Sequence, residues 1–298
     1  MRKLKTVVPM PWHDFTPVSG AWMLHPRDAH LLDPVLGIDA FVLRDMPFAP
    51  HPHAGFSAVT VLFEESEVGF ANYDSLGDQS VIHPGGLHWT QAGRGMMHDE
   101  PPLQLGPQVR GLQVFVNLAT MHKEAPPAAF RVEPEAIPII ESDGARVRVV
   151  TGRYQGQASS LASQQNWYTS VMMLDITLAP GSRWQAAVAS GERAFFVLLQ
   201  GQVSVDSKVV DANAVNAKAA LVLADEGDAI CIDNTGQGAV RGTLFIGKPL
   251  GQSIVAHGPF NGNTQEDINR YIRRYRAGGM GILEPGGKLL AKPDLTVG

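Results

Sequence analysis

Short runs rich in Val, Ile, Leu, Phe and Thr, set apart by turns containing glycine and proline, recur along nearly the whole chain. That pattern predicts an all-β sandwich or barrel. In the first half the expected strands are Phe56 to Phe63, Gln79 to His83, Leu87 to Gln91 and Gly111 to Leu118. In the second half they are Thr169 to Leu178, Ala194 to Leu199, Gln202 to Val205, Ala219 to Leu223, Ala229 to Ile232 and Gly242 to Ile246. The two halves echo each other: Ala58 to Phe63 followed by Val81 to Gly86 resembles Phe195 to Leu199 followed by Leu221 to Asp228, which suggests a duplicated fold. Prolines at 126, 127, 134 and 138 place the boundary near residues 119 to 145. One helix is legible. Thr264 is its expected N-cap, acidic residues occupy the first turn, and Ile268, Tyr271, Ile272 and Tyr275 fall at helical spacing before Gly278. Its arginines at 270, 273, 274 and 276 read as a solvated face, and Gly286 to Gly298 as a loosely held tail.

Composition narrows the function classes. At 298 residues with 44% hydrophobic and 18% charged side chains, the chain is that of a folded globular protein, with two domains expected. A net charge of -5 disfavours direct nucleic-acid binding, which leaves a basic stripe. The single cysteine, Cys231, excludes an intrachain disulfide, and its neighbours Ile230 and Ile232 predict a buried strand thiol. No apolar run reaches the ~20 residues needed to cross a bilayer. The N-terminus lacks the apolar core and cleavage site of a signal peptide. The expected location is the cytoplasm, with no membrane partner.

The chemistry concentrates in His51-Pro52-His53 and His98-Asp99-Glu100. Each sets two metal-ligating side chains at i and i+2, a spacing that points both to one face of a strand. Converged, three imidazoles and one carboxylate suit a single divalent transition metal, Fe(II), Mn(II), Ni(II), Cu(II) or Zn(II), without selecting among them. The competing reading makes His-Pro-His a surface loop and His98 a hydrogen-bonded core histidine. His88 fits a supporting or surface position.

The ordered motifs HPHAGF and HPGGLHWTQAGRGMMHDE, with LDPVLGIDAF before them and GLQVFVNL and HGPFNGNT after, resemble the pirin family over almost the whole chain. The resemblance implies an all-β bicupin: two tandem cupin β-sandwich barrels with a short C-terminal helix. The expected division is a metal-binding barrel over 1–120, a linker over 121–144, a barrel without metal over 145–262, and the helix and tail over 263–298. It also implies one iron-type metal, most simply Fe(II), held by His51, His53, His98 and Glu100, with Glu100 as the candidate catalytic carboxylate. Oxidation of quercetin-type flavonols is associated with the family, so a small aromatic substrate and dioxygen are the expected partners. The alternative is a non-catalytic, metal- or redox-dependent regulator acting through a protein partner. Ala54 and Ser57 depart from the Arg and Glu common in pirins, and both adjoin the first ligand pair.

Overall fold

The computed structural model describes residues 1–24, 26–212 and 218–294. One seven-stranded antiparallel sheet runs Ala128–Val132, Leu87–Gln91, Phe56–Leu62, Val109–Asn117, Val35–Leu43, Ser19–Met23, Trp12–Thr16 from edge to edge. The other runs Leu4–Met10, Lys218–Leu223, Arg193–Gln200, Val240–Gly247, Val171–Leu178, Ala145–Thr151, Ile139–Ser142. Each curls against its own four-stranded sheet. These are His51–His53, Met96–Asp99, Phe70–Asp74, Gln79–Ile82 for the first barrel, and Arg183–Ala187, Ala229–Asn234, Gln202–Val205, Lys208–Asp211 for the second. The strand order of one barrel repeats in the other, as the internal echo predicts.

Strand exchange crosses the boundaries drawn from the sequence. Leu4–Met10 precedes the first barrel yet pairs with Lys218–Leu223 of the second. Ala128–Val132, inside the expected linker, pairs with Leu87–Gln91 of the first barrel, and Ile139–Ser142 pairs into the second. Only Leu4–Met10 crosses between barrels; it and Ala128–Val132 each pair with the strand that would otherwise end a large sheet. Buried Arg2 helps fix the exchanged strand, donating to the carbonyls of Gly227, Glu192 and Ala189 at 3.1, 2.7 and 3.1 Å.

Period-two alternation divides each large sheet into an outer and an inner face. On the outer faces Ile38, Val59, Trp89 and Val114 of one sheet join Phe195, Val197, Val222 and Phe245 of the other in a single buried cluster, so the barrels pack sheet to sheet. The inner faces differ. Among the described residues, 25 buried apolar side chains fill the second barrel and only seven the first. The first barrel is therefore the one with room for a site.

Three local expectations are revised. Cys231 lies on the half-buried outward positions of Ala229–Asn234, whose alternation buries Ile230 and Ile232 instead. The tail is tied down in part: Ile282–Glu284 and Lys288–Ala291 form a hairpin, while 295–298 lie outside the described residues. The helix, Gln265–Arg276, has the expected Thr264 cap, closed as a capping box with Asp267. Its arginine face is only partly solvated, because Arg270 and Arg274 clasp Glu124 at 2.9 and 2.8 Å.

Between the barrels, buried Arg148 reaches Asp175 at 3.3 Å and the Gly85 carbonyl at 2.5 Å. Arg148→Ala should lower stability by about 3 kcal/mol by stripping the buried Asp175 carboxylate of that partner, and Arg148→Met with Asp175→Leu should recover most of the loss. Urea midpoints check this. A single-variant loss below about 1 kcal/mol would show that Arg241, 3.9 Å from Asp175, compensates.

Candidate metal centre

His51–His53 and Met96–Asp99 lie side by side and antiparallel, with His51 opposite His98 and His53 opposite Met96. Strand alternation then gathers His51, His53 and His98 on the barrel side. Pro52, which cannot donate a ladder hydrogen bond, is tolerated because His51–His53 is an edge strand. The three rings stand 4.6 to 4.8 Å apart between centroids, and one ligating atom from each lies within 4.8 Å of the others.

The geometry fits a cation. The Nδ1–H of His51 donates to the Ala49 carbonyl at 2.9 Å, which leaves its Nε2 with a lone pair facing the Nε2 of His98 at 3.1 Å. Two imidazole lone pairs so close need a proton or a metal between them. Burial, with the charge of His98 next, lowers the His51 pKa to about 4, and the same causes push His53 well below its usual value. Both are thus neutral at pH 7, the state that binds metal. His53 Nδ1 and His98 Nδ1 are buried without a hydrogen-bond partner.

Glu100 is near but outside this three-nitrogen group. Its Oε1 sits 3.7 Å from His98 Nδ1, behind the ring, and its Oε2 accepts from the Thr60 hydroxyl at 2.6 Å. Burial alone would raise its pKa, but the neighbouring His98 and His88 and the Thr60 hydroxyl outweigh it and hold the carboxyl at about 2. His88 is a buried supporting residue, with Nδ1 3.7 Å from Glu100 Oε1 and Nε2 3.9 Å from Asp78.

The centre opens into a cavity of about 270 Å³ whose walls include Phe15, Phe41, Phe48, Phe70 and Phe115. Asp39 and Gln113 also line it. Sequence reasoning passed over Asp39, whose only available signal was a charge in the middle of the otherwise apolar run Val35–Leu43.

The two departures from the pirin pattern lie elsewhere than the ligand side. Ala54 is fully buried with Phe260, Ile268, Tyr271 and Met280. Ser57 has the parity of Val59 and Val61, opposite to Thr60, and so faces the other barrel. The ligand loop is instead held by the chain's C-terminal part. Gly55 has φ +83°, and a Cβ there would lie 1.8 Å from the Asn261 carbonyl oxygen, so no larger residue fits. Lys123, also buried, donates to the Gly55 carbonyl, Asn117 Oδ1 and the Asn261 carbonyl at 2.7, 2.7 and 3.2 Å.

His51→Ala should remove most of the bound metal, read by elemental analysis, while β-sheet circular dichroism stays close to wild type because the core lies between the sheets. Asp39 supplies a pH test. Burial raises its pKa from 3.8 to about 7, so its contribution to stability is fully present below pH 3.8 and is lost as pH rises through 7. Asp39→Asn, neutral at every pH, should therefore be more stable than wild type by about 1–3 kcal/mol at pH 8, with the gain vanishing toward pH 4. Equal thermal shifts at both pH values would contradict this.

Comparison with known proteins agrees with the site. Residues 23–116 match the Pirin family and residues 173–281 the Pirin C-terminal cupin domain. A pirin-like protein of Arabidopsis thaliana is 35% identical over 80% of this chain and 77% of its own. A Pseudomonas aeruginosa protein provisionally named as a quercetin 2,3-dioxygenase is 32% identical over 84% of this chain and 87% of its own. Human pirin is 32% identical over 82% of each chain. Among solved structures, a quercetin 2,3-dioxygenase from Acinetobacter baumannii superposes with a TM-score of 0.81 at 24% identity, covering 94% of this chain and 99% of that one. A nickel(II) complex of a bacterial pirin from Escherichia coli gives 0.60 at 13% identity, covering 82% and 98%. At these identities the structures establish the fold alone. With a bicupin architecture, a histidine cluster suited to a divalent metal and this degree of sequence identity, the chain belongs to the pirin family.

Proposed function

We propose that this pirin-family protein is a metal-dependent dioxygenase acting on flavonol-type aromatic substrates such as quercetin, with Fe(II) as its metal. The observation that carries the reading is the opening of the three-histidine cluster into an aromatic-walled cavity. The Pseudomonas relative's provisional name supports the same substrate class. A cavity of about 270 Å³ sits near the lower end of small-ligand sites and suits a flat, compact ring system.

His51, His53 and His98 would hold the ion, and Glu100, 3.7 Å from His98 Nδ1, would have to turn Oε1 toward it to serve as the fourth ligand. When bound, a redox-active divalent metal supplies dioxygen activation and polarises a phenolic oxygen. The phenylalanine walls exclude water and orient the substrate ring, which strengthens every charge interaction at the cluster. Thr60 occupies Oε2 of Glu100, so Oε1 is the atom left to reach the ion or, when not bound to it, to take a phenolic proton. A carboxyl held at about 2 is a weak base, and its larger role is to supply negative charge to the cation.

Protein loaded separately with Fe(II), Mn, Ni, Cu or Zn should, in at least one form, consume oxygen with quercetin and release carbon monoxide. Glu100→Ala should suppress both signals by at least about 100-fold. If no metal form consumes oxygen with any flavonol, the substrate assignment falls and a metal-dependent regulator with a protein partner becomes the better reading.

A further inference from the structure

The inner face of the first barrel's large sheet carries a row of polar side chains. Cross-strand pairing sets Asp39 opposite Gln113, Gln113 opposite Thr60, and Thr60 opposite His88. Glu100 sits over the Thr60 end of this row through the 2.6 Å hydroxyl contact. A hydroxyl has one proton, so Thr60 gives it to Glu100. Gln113 Oε1 stands 3.1 Å from the same hydroxyl, and because the two ends of an amide are interchangeable in shape, a flipped Gln113 would donate its otherwise unpartnered NH₂ to the Thr60 oxygen.

Asp39 is the outlier at the other end. It lines the cavity, and among the described residues no cation or hydrogen-bond donor meets its carboxyl. Its cross-strand neighbours are Met23 and Gln113, neither charged, and the nearest residues on its own face of the strand are Gly37 and Phe41. No acidic or basic group from these flanking positions faces it. An unpaired carboxyl against apolar walls is costly to keep and burial raises its pKa, so the fold alone gives it no purpose. The duplicated barrel supplies the comparison. Its corresponding sheet has an apolar inner face, with rows such as Leu174, Leu244, Phe196, Leu221. That inner face closes around apolar side chains with no carboxyl among them.

We propose that Asp39 is the second polar anchor of the substrate cavity, accepting a hydrogen bond from a phenolic hydroxyl at the end of the ligand remote from the histidines. The proposal rests on the aromatic-substrate reading above and deepens it to a specificity: polyhydroxylated aromatics over those whose oxygens all lie at the metal end. Two strand spacings separate Asp39 from Thr60, about 10 Å, so one fused-ring ligand with its pendant ring bridges from Glu100 to Asp39.

The test is anaerobic equilibrium titration of the metal-loaded full chain with quercetin and with 3-hydroxyflavone, which keeps the metal-binding oxygens and lacks the remote hydroxyls. At pH 8, where the Asp39 carboxyl is ionised, wild type should favour quercetin, and Asp39→Leu should reduce the ratio of the two dissociation constants about tenfold, as expected for loss of a hydrogen bond to a charged acceptor. Asp39→Asn, which preserves shape and the carbonyl acceptor, should give an intermediate ratio and stands as the informative variant if Asp39→Leu folds poorly. An unchanged ratio in folded Asp39→Asn and Asp39→Leu with full metal content overturns the proposal, as does failure of wild type to discriminate the two probes. Oxygen consumption is read separately: a wild type that binds with this discrimination but never consumes oxygen removes the dioxygenase reading and leaves the Asp39 anchor standing.

Discussion

The packing of one seven-stranded sheet against the other is the constraint on which the remaining features depend. It buries the outer faces of both barrels, Trp89 meeting Trp167 edge to face at 5.3 Å and Phe195 stacking on Phe245 at 4.9 Å. Burial of this kind contributes about 25 cal/mol per Å² of apolar surface, and it accrues without any contribution from the barrel interiors. The first barrel can therefore stay hollow. Leu4–Met10, which precedes the first barrel, adds an edge strand to the second barrel's large sheet, and Ala128–Val132 adds one to the first barrel's.

The duplication shows how one architecture serves two purposes. The second barrel is closed by side chains such as Trp184, Phe196 and Ile232, whereas the first replaces them with imidazoles, a polar row and a cavity. Every polar group placed in the hollow barrel costs desolvation, and the arrangement limits that cost by pairing most of them. Thr60 serves Glu100, the Ala49 carbonyl serves His51, and His88 lies between Glu100 and Asp78. The facing Nε2 atoms of His51 and His98 and the carboxyl of Asp39 on the cavity wall are left for ligands.

Rigidity at the centre comes from outside the barrel. The segment Phe260–Gly262 crosses the ligand loop so closely that only glycine fits at 55, and Lys123 binds the two together. The helix behind it is pinned through Arg270 and Arg274 to Glu124, one residue from that lysine. Gly95, just ahead of the second ligand pair, has φ +132° and packs against Met280. The C-terminal segment thus braces both ligand-bearing strands, which explains why the arginine face of the helix is not simply solvated.

By itself the sequence determined the strands, the capped helix, the duplication, the pirin family and the two candidate ligand pairs, His51 with His53 and His98 with Glu100. Each of these is encoded locally, in alternation over a few residues, in cap and turn chemistry, or in an uninterrupted motif such as HPHAGF. The tertiary structure decided the rest, because it depends on which distant strands become neighbours. Pairing of His51 with His98 made one cluster of two motifs 47 residues apart, and left Glu100 behind His98 rather than among the three nitrogens. Strand parity turned Cys231 and Ser57 away from where their neighbours suggested. Asp39 gained its meaning only when Gln113 and Thr60, from strands well separated in sequence, were laid beside it across the floor of a hollow barrel. No local pattern reports such a juxtaposition, since cross-strand register over long separations is set by the burial of both sheets at once.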